Sequence, residues 1–182
     1  MGLPTLKLPG AVLAAALAFT AQPALAQSDY DLDCVARGAD PSTGANLVDH
    51  FLSGQGLAKK PRPFFDELYV VLGECGDSNT SDEKEAQYYT DVVLMRAMLP
   101  ELRSRLVSIG FDVAPVDEHM AARFAAGIEG DNNESDVFFA ERAESFVNET
   151  GTDADLVIYL LASYTESMKI EREALRGLGL IE

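Results

Sequence analysis

Residues 155 to 163 read DLVIYLLAS, a nearly unbroken apolar run that follows the turn-forming residues TGTD at 150 to 153. The run is too short to cross a membrane, and it shows neither strict alternation nor a polar helical face. Continuous apolar runs of this length are typical of strands that are buried on both faces of a parallel sheet. We therefore predict a buried β-strand here.

Two other stretches have a similar pattern. Residues 68 to 72 read LYVVL, and residues 111 to 116 read FDVAPV directly after a helical segment and Gly110. A helix, a glycine and a short strand form the return half of a βαβ unit. The predicted fold class is α/β, with a small open, mainly parallel three-stranded sheet flanked by helices.

An all-α helical repeat is the alternative fold. The pairs Phe64–Phe65 and Phe138–Phe139 each follow a Phe-x-x-Gly sequence, at residues 51 to 54 and 124 to 127. If this is a true repeat, both halves are helical. We prefer the α/β fold because residues 68 to 72 and 156 to 162 are rich in β-branched and aromatic residues, which favour strands.

Helical periodicity predicts the elements around the sheet. Short helices are expected at about residues 43 to 53, 135 to 148 and 165 to 176, and Asp117 is expected to cap another. The longest helix spans about residues 82 to 109 and contains Pro100, which should kink it. Apolar residues spaced three and four apart predict its inner face: Tyr88, Val92, Met95, Leu99, Leu102, Leu106 and Ile109.

The first 26 residues have the pattern of a secretory signal peptide. Lys7 precedes an apolar run from Leu8 to Phe19, and small residues at 24 and 26 predict cleavage after Ala26. Gln27 then offers no thiol for lipid attachment. The predicted organisation is a signal peptide at 1–26, an N-terminal segment with a short helix and linker at 27–63, and an α/β domain at 64–182.

The charge balance restricts the partners. The chain has 30 acidic and 14 basic residues, with a formal net charge of −16. Such a field argues against nucleic acid or anionic lipid as the main partner. We expect a periplasmic or secreted protein with no integral membrane span after cleavage and with an envelope protein as its partner.

Cys34 and Cys75 are the two cysteines of the chain. In an oxidising compartment a lone pair is expected to form a disulfide bond. Closing a loop of about 40 residues stabilises the folded state by roughly 4 kcal/mol on the chain-entropy model. A redox role is the alternative, but the spacing is far from Cys-x-x-Cys.

Lys59, Lys60 and Arg62 form a basic cluster in a predicted connector. A solvated loop is the simpler interpretation of these residues. The alternative is that they dock an acidic protein partner.

Ligands of open parallel sheets bind beyond the carboxyl ends of the strands. This edge of the predicted sheet would collect Asp77, Asp117, His119 and Glu166 in one crevice. They are the candidate catalytic residues, with acid–base roles. A structural role is the alternative, since Asp77 lies in a turn-like sequence and Asp117 precedes a predicted helix.

Motifs for metals and cofactors are incomplete in this sequence. Two stretches, at 77–88 and 131–142, begin like calcium loops but lack the glycine and the final glutamate. His50 and His119 are isolated, and two such histidines do not form a zinc site. The nucleophile elbow, the phosphate loop and the dinucleotide fingerprint are also missing. We predict no metal and no cofactor.

The helix leading into residues 109 to 117, IGFDVAPVD, and the later stretches GTDADLVI and SYT, at 151–158 and 163–165, carry a resemblance. Together they resemble the periplasmic α/β domain shared by curli-secretion proteins, penicillin-binding-protein activators and flagellar accessory proteins. The resemblance covers about residues 66 to 166. It implies a non-enzymatic module of the bacterial envelope that binds other proteins.

Three functions remain open at this point. The first is an exported, non-enzymatic accessory domain that binds a protein of the cell envelope. The second is a periplasmic small-molecule-binding protein. The third is a hydrolase that would use the acid–base candidates named above.

Overall fold

The chain folds into helices. The computed structural model describes residues 30–38, 40, 42–57, 65–128 and 133–182, and these ranges contain seven helices and no strand. The helices are α1 (Cys34–Gly38), α2 (Thr43–Gly54), α3 (Phe65–Asn79), α4 (Glu83–Ser108), α5 (Ala114–Ala125), α6 (Asn133–Thr150) and α7 (Ala154–Gly177). The predicted α/β class is therefore wrong, and the all-helical alternative gives the correct class.

The apolar run at 155 to 163 lies inside α7. Asp153 begins this helix, since its Oδ1 accepts a hydrogen bond from the Leu156 N–H at 3.0 Å. The buried residues follow helical spacing: Val157, Leu160, Leu161 and Tyr164. Ile158 and Tyr159 lie off that stripe, and these two residues are 51% and 39% exposed. Because these outward positions are also apolar, the sequence conceals the helical period and resembles a buried strand.

The other two predicted strands are wrong for similar reasons. Residues 68 to 72 belong to α3, where Leu68, Leu72 and Cys75 are buried at helical spacing while Tyr69 and Val70 are 66% and 60% exposed. Residues 111 to 113 belong to the connection between α4 and α5, and the stretch from 114 to 116 is the first turn of α5. Pro115 suits a first turn, where its missing N–H costs no helical hydrogen bond.

The long helix α4 forms the centre of the core. Asp82 caps it by accepting from the Glu85 N–H at 2.9 Å, and it continues through Pro100 to Ser108. Of the predicted inner face, Val92, Met95, Leu102 and Leu106 are buried. Tyr89, Val93 and Met98 are also buried, because α2 and α7 both pack on this helix and cover more than one stripe.

Helices α4 and α7 pack in an antiparallel pair. Tyr88, near the start of α4, lies so close to Gly177 at the end of α7 that a Cβ there would meet its ring at 2.4 Å. Further along, Arg96 Nε donates to Glu171 Oε1 at 3.1 Å. Helix α2 also approaches α4 closely, since a Cβ on Gly44 would lie 2.3 Å from the Ala97 carbonyl oxygen.

The disulfide predicted from the sequence is confirmed. It joins Cys34 in α1 to Cys75 in α3, with a Cα–Cα distance of 5.9 Å. Residues just before α1 are also held to the core, because the Tyr89 hydroxyl donates to the Asp31 carbonyl oxygen at 2.5 Å. Among the described helices, none combines the length and the apolarity that crossing a bilayer requires.

Candidate ligand-binding cleft

A large cleft lies along the α6–α7 helical hairpin. Residues 151 to 153 join the two helices, and Gly151 takes the left-handed conformation, with φ 70°, that ends α6. Such a short connection makes the two helices antiparallel neighbours. The cleft has a volume of about 900 Å³, and α2 and α4 contribute to its lining.

Apolar side chains form most of the cleft surface. They come from all four helices: Phe51 from α2; Met95 and Met98 from α4; Phe139, Ala140, Ala143 and Val147 from α6; and Ala154, Ile158, Leu161, Ala162 and Ile170 from α7. Methionine adapts its shape easily and is common at surfaces that accept varied ligands. A concave, mostly apolar surface of this volume is typical of small-molecule sites.

Ile158 marks the cleft as a surface without a partner inside the described chain. It is about half exposed in the middle of α7, and it lines the cleft. Phe51, 54% exposed on α2, also lines it. Exposed apolar side chains grouped in a concavity indicate a binding surface more often than isolated ones do.

The cleft is elongated along the helices. Its lining residues on α7 extend from Ala154 to Ile170, and those on α6 extend from Ser135 to Val147. With a rise of 1.5 Å per helical residue, these spans correspond to roughly 24 Å and 18 Å. The shape therefore suits a long ligand better than a compact one.

Polar residues lie mainly toward the end of the cleft remote from the α6–α7 connection. Asp136 and Ser135 begin α6, while Ser163, Glu166 and Lys169 lie in the second half of the lined part of α7. Lys169 Nζ donates to Glu166 Oε2 at 3.2 Å. Glu144 adds a further carboxylate along α6.

The three described catalytic candidates, Asp117, His119 and Glu166, do not form one site. Glu166 lines the cleft, and His119 contacts it only indirectly, through a 3.0 Å hydrogen bond between Nε2 and the Ser135 hydroxyl. The His119 ring also stacks on Phe138 at 4.2 Å. Asp77 lies in α3, and its side chain is outside the described part of the structure. A joint acid–base crevice is thus not formed by the three described side chains.

Asp117 has a structural role that differs from the predicted one. It does not cap α5, which begins at Ala114 with the Asp112 side chain accepting from the Ala114 N–H at 3.1 Å. Its carboxylate instead accepts from Arg103 at 3.0 Å and from the Tyr164 hydroxyl at 2.6 Å. Burial, together with this bond to Asp117, raises the pKa of Tyr164 to about 12.

Two further predictions concern the basic cluster at residues 59 to 62 and possible metal ligands. Lys59, Lys60 and Arg62, the predicted partner-binding residues, lie outside the described residues. Across the ranges that the structure describes, no three side chains of His, Cys, Asp or Glu are grouped so as to hold a metal ion.

Of the cleft residues, sequence reasoning named Glu166 as a candidate but missed the apolar lining, although one signal for it was present. In α7 the residues Val157, Leu160 and Leu161 form the buried helical stripe that packs into the core. Ile158 lies off this stripe and is an exposed apolar residue that does not contribute to core packing. Read as a helix, the run at 155 to 163 would have indicated a second apolar face. The contribution of Met95 and Met98 from α4 depends on tertiary packing and has no local signal.

Comparison with known proteins adds no relative to this description. No protein-family model, no curated protein and no solved structure matches the chain. The resemblance to envelope accessory modules therefore stays a prediction, and the fold that it implied is replaced by the helical one.

Proposed function

We propose that this chain is an exported binding protein for an elongated, largely apolar small molecule, which lies in the α6–α7 cleft. The observation that carries the proposal is the cleft itself, with about 900 Å³ of space and apolar side chains from four helices around it. Pockets of this size and composition can enclose most of the surface of a small organic ligand.

The half-exposed Ile158 supports the proposal energetically. Covering a large aliphatic side chain contributes about 1.5 to 3 kcal/mol when it is fully removed from water. Ile158 and Phe51 both line the cleft and are about half exposed. A ligand that covers both would gain a substantial part of that free energy.

Export is supported by two features. The first 26 residues have the charge, apolar run and small residues of a secretory signal peptide. Cys34 and Cys75 form a disulfide bond, which persists mainly in oxidising compartments such as the periplasm or the cell exterior. Both features fit a periplasmic or secreted binding protein.

A protein-binding accessory function is the second candidate, and one observation favours it. Val137, which follows the lining residue Asp136 in α6, is 54% exposed, and the cleft contains two methionines. Grooves of this kind accept the apolar face of an amphipathic helix from another protein. The occupant would then be an envelope protein rather than a small molecule.

The test uses a neutral apolar dye, N-phenyl-1-naphthylamine, and the purified protein. We expect saturable dye binding that Ile158→Asp weakens at least tenfold, because a carboxylate would enter an apolar surface and the isoleucine contact would be lost. Val70→Asp is the matched control, since Val70 is a similarly exposed aliphatic residue within α3 that does not line the cleft.

Two outcomes would contradict the proposal. One is an absence of saturable binding by the folded protein. The other is an equal effect of Ile158→Asp and Val70→Asp, which would place the dye elsewhere. Solvent extraction of the protein isolated from its own cells, followed by mass spectrometry, then identifies the small molecule; a co-purifying polypeptide in its place would favour the accessory function.

A further inference from the structure

The charged residues of the cleft are unequally distributed between the two signs. Among the described lining residues, Asp136, Glu144 and Glu166 carry negative charge, and Lys169 is the one cation. Lys169 is bonded to Glu166 and offsets one of these three negative charges. The border of this apolar cleft is therefore net negative.

Two of the acidic groups lie at the same end of the cleft. In an antiparallel hairpin, residues at similar distances from the connection lie opposite each other. Asp136 on α6 and Glu166 on α7 are at roughly similar distances from residues 151 to 153, and both lie toward the open end. Val147 and Ala154, beside the connection, make the other end apolar.

From this polarity we infer that the ligand is a cationic amphiphile: a molecule with one apolar tail and a positively charged head group. This inference rests on the function proposed above. The tail would lie toward Val147 and Ala154, and the head group would lie between the carboxylates of Asp136 and Glu166. Glu144, one helical turn from Val147, would lie beside the tail.

The charge of the whole chain favours the same ligand class. A net charge of −16 raises the local concentration of cations and repels anionic amphiphiles such as fatty acids. A neutral amphiphile would gain only the apolar contacts. Exposed ion pairs contribute up to about 1 kcal/mol each, so each carboxylate adds at most about a fivefold gain in affinity.

The test compares three ligands with the same dodecyl tail: dodecyltrimethylammonium, dodecanol and dodecanoate, each below its micelle concentration. Binding is followed by a tryptophan introduced at Phe51→Trp, because the sequence contains no tryptophan and Phe51 lines the cleft. Tyr69→Trp, which is on α3 and does not line the cleft, is the control reporter.

We expect the ammonium ligand to bind at least tenfold more tightly than dodecanoate at low ionic strength. At about 1 M salt, where the Debye length is about 3 Å, this preference should largely disappear while dodecanol binding persists. The double variant Asp136→Asn/Glu166→Gln should reduce the preference several-fold.

The matched control is Glu141→Gln/Glu173→Gln. It also removes two negative charges, one from α6 and one from α7, at exposed positions that do not line the cleft. If both double variants reduce the preference equally, the effect comes from net charge, and the head-group position is wrong.

The remaining outcomes separate this inference from the proposed function. Equal binding of the three ligands to the cleft would overturn the cationic class and leave the apolar-ligand function in place. Failure of all three to bind, together with failure of the neutral dye, would overturn both. If a basic amphipathic helical peptide binds saturably and the three ligands do not, the inference of a cationic small molecule is overturned in favour of a protein partner.

Discussion

The Tyr164 hydroxyl donates a 2.6 Å hydrogen bond to Oδ1 of Asp117, and so connects the middle of α7 to the first turn of α5. Arg103 of α4 donates to the other carboxylate oxygen at 3.0 Å. Three helices are therefore joined by one carboxylate. Burial of the Tyr164 hydroxyl and its hydrogen bond to Asp117 together raise the pKa of Tyr164 to about 12.

Tyr164→Phe should lower the free energy of unfolding by about 1 kcal/mol at neutral pH, because Asp117 loses one donor while the ring is retained. The folded-state pKa lies above the unfolded value of about 10, so the bond contributes fully below pH 10 and is lost as pH rises through about 12. Urea unfolding at several alkaline pH values measures both effects.

Tyr159→Phe is the control for this substitution, since Tyr159 is more exposed on the same helix. An equal loss of stability in both variants at neutral pH would contradict a specific role for the Tyr164–Asp117 bond.

Glu85 should make the protein sensitive to acid. Its carboxylate accepts hydrogen bonds from the backbone and hydroxyl of Ser81 and from the Tyr30 hydroxyl, and these bonds lower the pKa of Glu85 from 4.5 to about 2. A depressed folded-state pKa means that the stabilisation is present above pH 4.5 and is lost as pH falls through about 2. Glu85→Gln should therefore flatten this part of the pH profile of thermal unfolding.

The same measurement on Glu83→Gln provides the comparison, because Glu83 is an exposed acidic residue in the same first turn of α4. If Glu83→Gln flattens the acid limb as strongly as Glu85→Gln, helix-dipole effects rather than the Ser81 and Tyr30 bonds are responsible.

Removing the disulfide should be costly. The Cys34–Cys75 bond spans a sequence separation of 41 residues, for which chain entropy predicts a stabilisation of roughly 4 kcal/mol. Cys34→Ala/Cys75→Ala should reduce the free energy of unfolding by this order, as measured by urea unfolding. Wild-type protein reduced with dithiothreitol should have the same free energy of unfolding as the double variant. A loss of stability below about 1 kcal/mol in both cases would show that the disulfide bond is not a main stabilising element.

Two glycine substitutions should have opposite effects. A Cβ at Gly44 would lie 2.3 Å from the Ala97 carbonyl oxygen, so Gly44→Ala must separate α2 from α4 and should cost about 1 to 3 kcal/mol. Gly73, within α3, has open space around it, and Gly73→Ala should stabilise the helix by about 0.5 to 1 kcal/mol. Thermal unfolding of both variants tests the α2–α4 contact; stabilisation by both would contradict it.

The sequence predicts a helix correctly where polar and apolar residues fall on separate faces of that helix. The expected helices at 43 to 53, 82 to 109 and 135 to 148 correspond to α2, α4 and α6 within a few residues. The prediction failed at 68 to 72 and 155 to 163, where exposed positions such as Val70 and Ile158 are apolar. At Ile158, the apolar residue that conceals the helix also lines the cleft, so the fold error and the missed site have one physical origin.

The acid–base candidates illustrate a second limit of sequence reasoning. The sequence predicts that Asp77, Asp117, His119 and Glu166 lie together, because a parallel sheet would align them at one edge. In a helical fold no such edge exists, and the partners of Asp117 are set by the contacts of α4 and α7. Functional grouping inferred from a fold class therefore fails when the class is wrong.

The antiparallel contact of α4 and α7 affects when the chain can fold. Tyr88 and Gly177 belong to segments that are synthesised far apart in time, and one flank of α4 remains uncovered until α7 has left the ribosome. Domains fold as units once their elements are available. The nascent chain should consequently lack its central helix pair until the last turn of α7 has emerged from the ribosome.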